Sequence, residues 1–252
     1  MQTIEPSFLD EVVDLVREAG ELTLRWFRSA TLDIESKGDG TPVTAADKAA
    51  ERFLREQIAA RWPDDAVIGE EEENTAGTSG RTWIIDPIDG TKAFTHGVPL
   101  YSNLLALDDV DGPAIGVIGL PGLSQTVYAG RGLGCFEDGT RVHVSNRTEV
   151  GGAYLTTCGF DYWSEADLRA VQGGGMMMRT WGDGYGYALV ATGRADVMFD
   201  PEVALWDVAP MPVILAEAGG RFTDRHGVDG AAHGSGLATN GLLHDDILRI
   251  IA

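Results

Sequence analysis

The segment WIIDPIDGT at positions 83–91 begins with apolar residues and contains two aspartates, Asp86 and Asp89, three positions apart. Pro87 favours a turn, and a turn brings residues i and i+3 to within about 7 Å of each other, so that Asp86 and Asp89 face one point. Carboxylates and the carbonyl of Ile88 are the hard oxygen ligands that suit Mg²⁺. The segment therefore predicts a magnesium site. The alternative is an ordinary Asp-Pro turn capped by its own aspartates.

Gly90 and Thr91 follow directly, and their backbone N–H groups are predicted to bind phosphate oxygens, as turns and helix starts commonly do. The chain has 19 Lys and Arg against 39 Asp and Glu, a net charge of −20. This charge repels nucleic acids and anionic membranes, so neither is expected as a partner. A carboxylate-rich site accepts phosphate only when bound cations reverse its local charge. Composition and motif together favour metal-dependent phosphate chemistry.

The elements that position these residues are predicted from hydrophobic periodicity and turn signals. Helices are predicted at 7–28 and from Thr44 to Pro63. Short strands follow, with a two-residue hairpin turn at Asp138-Gly139, and they indicate an antiparallel sheet: 66–69, 81–85, 104–107, 114–119, 126–129, 134–136 and 141–144.

After about residue 147, strands alternate with helices, which is typical of an α/β unit. The predicted strands are 153–157, 176–180 and 195–199, and the predicted helices are 184–192 and 208–218. We therefore expect two subdomains, an α+β unit at 1–147 and an α/β unit at 148–252, with the site between them. Pro210 and Pro212 interrupt the last helix, which is expected to kink or to begin later.

The string D-P-I-D-G-T resembles the signature of the inositol monophosphatase family. Three further blocks resemble family motifs and stand in family order: KGDGTPVTAADKAAE at 37–51, IGEE at 68–71, and WD at 206–207 followed by EAGG at 217–220. The resemblance implies a layered αβαβα sandwich of the sugar-phosphatase type. It also implies a homodimer that hydrolyses a small phosphate monoester with two or three Mg²⁺ ions.

The resemblance also assigns roles to single residues. The implied metal ligands are Glu70, Asp86, Asp89, Asp207 and the Ile88 carbonyl, and the implied catalytic residues are Asp47, Thr91 and Glu70. Asp47 and Thr91 are expected to orient and deprotonate the attacking water. Thr44-x-x-Asp47 is equally a helix capping box, and both roles can coexist. Taken alone, Asp207 is an ordinary acidic residue near a helix start.

Lys92 after D-G-T, and the segment 179–201, resemble the branch of the family that acts on histidinol phosphate. The implied substrate contacts are Asp89, Gly90, Thr91, Lys92, Asp183 and Asp200, the last two near the alcohol part. Histidinol carries an ammonium and a protonatable imidazole, and burying such a cation calls for a carboxylate.

Alternatives stay open at this level. Asp183 is otherwise a helix N-cap, and Lys92 either contacts phosphate or lies in solvent. An inositol-1-phosphate phosphatase and a non-catalytic metal- or ligand-binding regulatory module are the alternative functions.

The two cysteines, Cys135 and Cys158, lie 23 residues apart and are predicted to be buried free thiols. The five histidines show no metal-ligand spacing. The first residues carry no basic and apolar leader, and no segment has the length of a membrane span, so a cytoplasmic protein is expected.

Overall fold

The computed structural model describes residues 3–29, 34–36 and 42–251. Most of the loop 37–42, with which the first family block begins, lies outside the described residues. The helices are α1 (Pro6–Leu24), α2 (Ala45–Arg61), α3 (Thr91–Thr95), α4 (Glu165–Gly173), α5 (Asp183–Ala191), α6 (Leu205–Val208), α7 (Met211–Ala218) and α8 (His244–Ile251).

Two short strands, β1 (Ile34–Ser36) and β2 (Pro42–Thr44), form an antiparallel pair before α2. Seven strands form the larger sheet in chain order: β3 (Ala66–Gly69), β4 (Thr82–Asp89), β5 (Ser102–Asp109), β6 (Gly112–Leu120), β7 (Gln125–Gly130), β8 (Gly134–Glu137) and β9 (Thr140–Val142). The predicted antiparallel sheet is confirmed except at its first pair, because β3 and β4 run parallel. The predicted hairpin joins β8 to β9, with positive φ at Asp138 and Gly139.

The second sheet has five strands in the order β11-β10-β12-β14-β13. Its members are β10 (Tyr154–Thr156), β11 (Met177–Arg179), β12 (Val197–Asp200), β13 (Arg221–Thr223) and β14 (Gly236–Thr239). Strand β10 runs parallel to β11 and β12, whereas β14 runs antiparallel to β12 and β13. The parallel part contains the three strands that the α/β pattern predicted.

Helices and sheets stack in five layers. Helices α1 and α2 cover one face of the seven-stranded sheet, and α1 does so with an apolar stripe that includes Leu9, Val12 and Val16. Helices α5 and α7 lie between the two sheets. Helices α4 and α8 pack on the outer face of the five-stranded sheet, where Val171 and Ile247 are buried. The predicted αβαβα sandwich is confirmed.

Three elements differ from prediction by more than a shift of one or two residues at a boundary. The first helix ends at Leu24 instead of residue 28, and residues 25–28 form turns. The helix expected at 208–218 is split into α6 and α7, because Pro210 and Pro212 lack the N–H groups that a continuous helix needs. Strand β4 extends four residues beyond the predicted end at residue 85.

The sequence missed several short elements: β1, β2, α3, α4, β13, β14 and α8. Strands of three or four residues are too short to show an alternation that periodicity detects. The subdomain division at residue 147 falls between β9 and β10, yet α7 packs against strands of both sheets. The two subdomains stay a prediction. Within the described ranges, no helix is long and apolar enough to cross a bilayer.

Candidate active site

Asp86 and Asp89 both lie in strand β4, which has a β-bulge between them. The prediction that a turn joins the two aspartates is therefore wrong. The pairing of β4 with β5 runs in register to Asp86 and resumes at Asp89, with a shift between them. Pro87 has no N–H to donate to the ladder, which favours such an irregularity. Strand β5 braces the bulge, since the Asn103 amide donates to the Pro87 carbonyl and the Ser102 hydroxyl donates to Asp89 over 2.7 Å.

Gly90 joins the bulge to helix α3. Its φ is 81°, a left-handed conformation that favours glycine. A Cβ atom at Gly90 would lie only 2.7 Å from the Asp183 carboxylate, so the neighbouring helix α5 leaves no space for a side chain. Immediately after Gly90, the Thr91 hydroxyl donates to the Ile88 carbonyl over 3.0 Å. Close packing against Asp183 at Gly90 and the Thr91–Ile88 hydrogen bond therefore both restrain the D-G-T turn.

Asp47 lies buried in the first turn of α2, opposite Thr91. One carboxylate oxygen, Oδ2, accepts from the Thr44 backbone N–H over 2.8 Å and from its hydroxyl over 2.5 Å, so the predicted capping box is confirmed. The other oxygen, Oδ1, lies 3.4 Å from the Thr91 hydroxyl. Burial raises the pKa of Asp47, and the nearby charge of Glu70 adds to the rise. Capping and contact with Thr91 therefore coexist.

Glu70 follows β3 on a loop that a second glutamate holds in place. The carboxylate of Glu51, fully buried in α2, accepts from the backbone N–H groups of Glu71 and Glu72 over 2.7 and 3.0 Å. Arg55 pairs with the same carboxylate over 2.8 Å. The sequence analysis did not single out Glu51. Glu51 could have been identified, because it is the last residue of the first family block, 37–51.

Asp207 lies in the first turn of α6, where its carboxylate accepts from the Ala204 backbone N–H over 2.8 Å. Pro210 separates α6 from α7, so the two segments are distinct helices. Glu217 near the end of α7 accepts from the backbone N–H groups of Gly132 and Gly134 over 2.6 and 2.7 Å. The second acidic residue of the W-D…E-A-G-G block therefore anchors α7 to the turn between β7 and β8.

These elements surround one cavity of about 640 Å³ between the two sheets. Ten of the eleven predicted site residues line it, namely Glu70, Asp86, Ile88, Asp89, Gly90, Thr91, Lys92, Asp183, Asp200 and Asp207, and Asp47 lies behind Thr91. The sequence analysis missed Asp161, Tyr162 and Glu202, which lie on loops and carry no local motif. Among the described lining residues, eight are acidic and one, Lys92, is basic.

Crowding of carboxylates shifts their pKa values upward. Burial, followed by the charges of neighbouring carboxylates, raises the pKa of Asp86 and of Asp89 well above the ordinary value. Burial likewise raises the pKa of Asp207 to about 7 and that of Asp183 to about 6. Ionised together in this cavity, the carboxylates repel one another, and a bound cation would relieve that repulsion.

The donor set fits a hard divalent cation, because it consists of carboxylate and carbonyl oxygens. Within the ranges that the structure describes, no three His, Cys, Asp or Glu side chains are gathered closely enough to form a ready metal cluster. Three of these carboxylates accept hydrogen bonds from the protein. Asp86 accepts from the Ile88 backbone N–H, Asp89 from the Ser102 hydroxyl, and Asp207 from the Ala204 backbone N–H.

Cys158 and Asp200 also line the cavity. The prediction of two buried thiols is correct for Cys135 and wrong for Cys158, which is exposed where it lines the cavity. Asp200, in contrast, is only 3% exposed. Its carboxylate accepts from the Cys158 backbone N–H, the Thr157 hydroxyl and the Tyr187 hydroxyl over 3.0 to 3.2 Å.

The fold agrees with the comparisons to known proteins. The family model of the inositol monophosphatase family matches residues 6–252. A histidinol-phosphatase of Mycobacterium tuberculosis is 41% identical over 93% of this chain and 94% of the relative. An inositol-1-monophosphatase of Rhizobium meliloti is 33% identical over 88% of this chain and 86% of the relative. The crystal structure of the extragenic suppressor protein suhB from Bartonella henselae superposes with a TM-score of 0.89 at 27% identity, covering 97% of this chain and 98% of that chain.

The chain therefore belongs to the inositol monophosphatase family. It is a phosphoric monoester hydrolase.

Proposed function

We propose that this enzyme hydrolyses L-histidinol phosphate to L-histidinol and phosphate. The charge of the cavity carries the proposal: eight acidic lining residues face one basic one, among the residues described. Four of the acids, Glu70, Asp86, Asp89 and Asp207, are the proposed cation ligands. The remaining acids suit an alcohol that is itself cationic, because a buried ammonium or imidazolium needs a nearby carboxylate. Similarity to the mycobacterial relative supports the same substrate.

The proposed cofactor is Mg²⁺, two or three ions per site, held by these four carboxylates and the Ile88 carbonyl. When bound, the ions neutralise phosphate charge and acidify a water molecule. The raised pKa values of Asp86, Asp89 and Asp207 support the proposal, because they mark a site where positive charge is favoured.

The chain's own residues then orient the reacting groups. We assign to the Thr91 hydroxyl, 3.4 Å from Asp47, the role of orienting the attacking water, and to Asp47 that of receiving its proton. The raised pKa of Asp47 makes its carboxylate a better base, and the charge of Glu70 contributes to that rise. Backbone N–H groups of Gly90 and Thr91 are the proposed phosphate donors, joined by the exposed Lys92.

Substrate recognition is assigned to the carboxylates away from the cation ligands. Asp183 lies against Gly90 and is the proposed partner of the substrate cation, with Asp89 contributing to both substrate and cation binding. The contact of Asp200 with the alcohol stays a prediction. Cytoplasmic location and a homodimeric state stay predictions as well.

Inositol-1-phosphate is the second candidate substrate, favoured by the similarity to the Rhizobium meliloti relative. The regulatory module without turnover is set aside, because the chain is a phosphatase.

The test is a phosphate-release assay on a panel of monoesters, with Mg²⁺ and with a chelator. We expect kcat/KM for histidinol phosphate to exceed that for inositol-1-phosphate, and turnover to vanish in the chelator. A higher kcat/KM for inositol-1-phosphate would overturn the proposed substrate, and full activity in the chelator would overturn the proposed cofactor.

A further inference from the structure

Asp89 is the proposed cation ligand at which two other elements of the chain meet. It is the last residue of β4, and its carboxylate accepts hydrogen bonds from β5 and from α5. The Ser102 hydroxyl donates to Asp89 Oδ2 over 2.7 Å, and the Gly184 backbone N–H donates to the same oxygen. Because both donors bind Oδ2, the other oxygen, Oδ1, is the one left for a cation.

The contact between β5 and α5 at this carboxylate is tightly packed. Ser102 is fully buried, and Asp89 is 8% exposed. A Cβ atom at Gly184 would lie 2.3 Å from the Ser102 hydroxyl and 3.0 Å from Asp89 Oδ2. The absence of a side chain at Gly184 therefore lets the backbone of α5 approach closely enough to donate. The two donors converge on Oδ2 from fixed positions.

A carboxylate that binds a metal ion is commonly held by hydrogen bonds from groups that do not touch the ion. Such groups orient the ligand, and their loss typically costs about 10- to 100-fold in metal affinity or activity. A carboxylate only accepts, so the single proton of the Ser102 hydroxyl is directed at Asp89. The geometry around Asp89 has this form.

We propose that Ser102 is a positioning residue for the cation: its hydroxyl, with the Gly184 N–H, holds Asp89 Oδ2 so that Oδ1 is presented to the ion. Ser102 lies outside all four family blocks, and it is not among the described residues that line the cavity. Its side chain therefore acts through Asp89. This inference rests on the proposed function, since it names how the proposed cofactor is held.

The binding of Mg²⁺ to the enzyme without substrate, measured by calorimetry, tests this role. Ser102→Ala removes the donor and leaves every proposed ligand in place. We expect the Kd of one bound ion to rise about tenfold, and kcat at saturating Mg²⁺ to stay within about threefold of the wild type. A Kd within about twofold of the wild type would show that Ser102 does not position the ligand.

Ser79→Ala is the matched control. The Ser79 hydroxyl donates to the buried carboxylate of Asp65 over 2.7 Å, the same length as the Ser102 bond. Neither Ser79 nor Asp65 is among the described residues that line the cavity. We expect the Kd for Mg²⁺ to stay within about twofold in this variant. A rise as large as that in Ser102→Ala would contradict a role specific to Ser102.

A double-mutant cycle locates the effect at Asp89. In an Asp89→Asn background, Ser102→Ala is expected to raise the Kd by less than about twofold, because the ligand that it positions is already lost. Thermal melts over a series of Mg²⁺ concentrations measure the weaker Kd values. A tenfold effect of Ser102→Ala in both backgrounds would refute action through Asp89.

The proposed cofactor and the role of Ser102 can fail separately. A wild type that binds Mn²⁺ but not Mg²⁺ overturns the proposed cofactor, and the same variants then decide the role of Ser102 by their Kd for Mn²⁺. A wild type that binds Mg²⁺ no more tightly than Ser102→Ala overturns the role of Ser102 alone. Binding of neither ion overturns both.

Discussion

At the scale of single residues, the same side-chain type performs different tasks according to its surroundings. Asp86 is 2% exposed among other carboxylates, whereas Asp47 shares its two oxygens between a helix cap and Thr91. Asp183 lines the cavity, and Asp200 is bound by three protein donors. Burial and neighbours, more than residue type, set the proton affinity of each carboxylate, and they underlie the different roles proposed for these residues.

Asp86→Asn tests the proposed cation site. An amide keeps the shape of the side chain but loses its charge, so we expect kcat/KM to fall by about a thousandfold or more on every monoester. The variant should fold, because removing one of several crowded carboxylates relieves repulsion. Phosphate release at saturating Mg²⁺ and a thermal melt are the two measurements. Near-normal turnover would remove Asp86 from the proposed site.

Asp183→Asn tests the proposed recognition of the substrate cation. Asparagine tolerates the left-handed backbone, so the loss of charge is isolated from strain. We expect KM for histidinol phosphate to rise about tenfold and KM for a phosphate of an uncharged alcohol to stay within about twofold. Comparable losses on both substrates would refute this role.

At the scale of elements, loops that carry the site are held by buried side chains from neighbouring elements. Glu51 of α2 holds the loop after β3, and the Ser102 hydroxyl and Asn103 amide of β5 hold the bulge of β4. Glu217 of α7 holds the turn after β7. Each contact joins residues far apart in the chain, so none of them could be identified from a local sequence pattern.

Gly69→Ala tests the role of Glu51. A Cβ atom at Gly69 would lie 2.1 Å from the Glu51 carboxylate, so the carboxylate must move and release the loop that carries Glu70. We expect a loss of about 1–3 kcal/mol in the free energy of unfolding, because the partly buried N–H groups of Glu71 and Glu72 lose their acceptor. We also expect kcat/KM to fall about tenfold.

Gly173→Ala is the matched control, since a Cβ atom there meets nothing within 4 Å and the residue is exposed at the end of α4. Denaturant unfolding and phosphate release should leave this control unchanged or slightly more stable. If Gly69→Ala behaves like the control, Glu51 does not position the loop.

At the scale of the whole molecule, the cavity joins elements of both sheets and concentrates negative charge in a chain that already has a net charge of −20. Carboxylates with raised pKa values bind protons more tightly in the folded than in the unfolded state. They therefore stabilise the fold below their ordinary pKa of 3.8, and this contribution is lost as the pH rises through the folded pKa, which is about 7 for Asp207. If these carboxylates bind a cation as proposed, we expect stability to depend on both pH and cation concentration.

His244 acts in the opposite direction, because burial lowers its pKa from 6.5 to about 4, and its contribution is lost as the pH falls below 6.5. Between pH 6.5 and 8, the change in stability therefore comes from the carboxylates and not from His244. In a chelator, we expect stability to fall across this window by about 1 kcal/mol, or about 2–4 °C in Tm. Excess Mg²⁺ should remove or reverse the fall, because cations replace the lost protons.

Thermal melts at matched ionic strength measure this effect, and Asp207→Asn should flatten the slope in the chelator. Identical slopes with and without Mg²⁺ would show that the carboxylates do not bind the cation.

The sequence by itself determined three local features, namely the carboxylate pair of D-P-I-D-G-T, the capping box of α2 and the break at Pro210, because each depends on residues a few positions apart. The layered fold was implied by the resemblance of four separated motif blocks to a family, and not by any local pattern. The tertiary structure alone decided that Thr91 meets Asp47, that Glu51 holds the loop of Glu70, and that Cys158 is exposed while Asp200 is buried. These features depend on which distant segments pack together. Burial and hydrogen bonding between such segments follow from the packing of sheets and helices, which local periodicity does not encode.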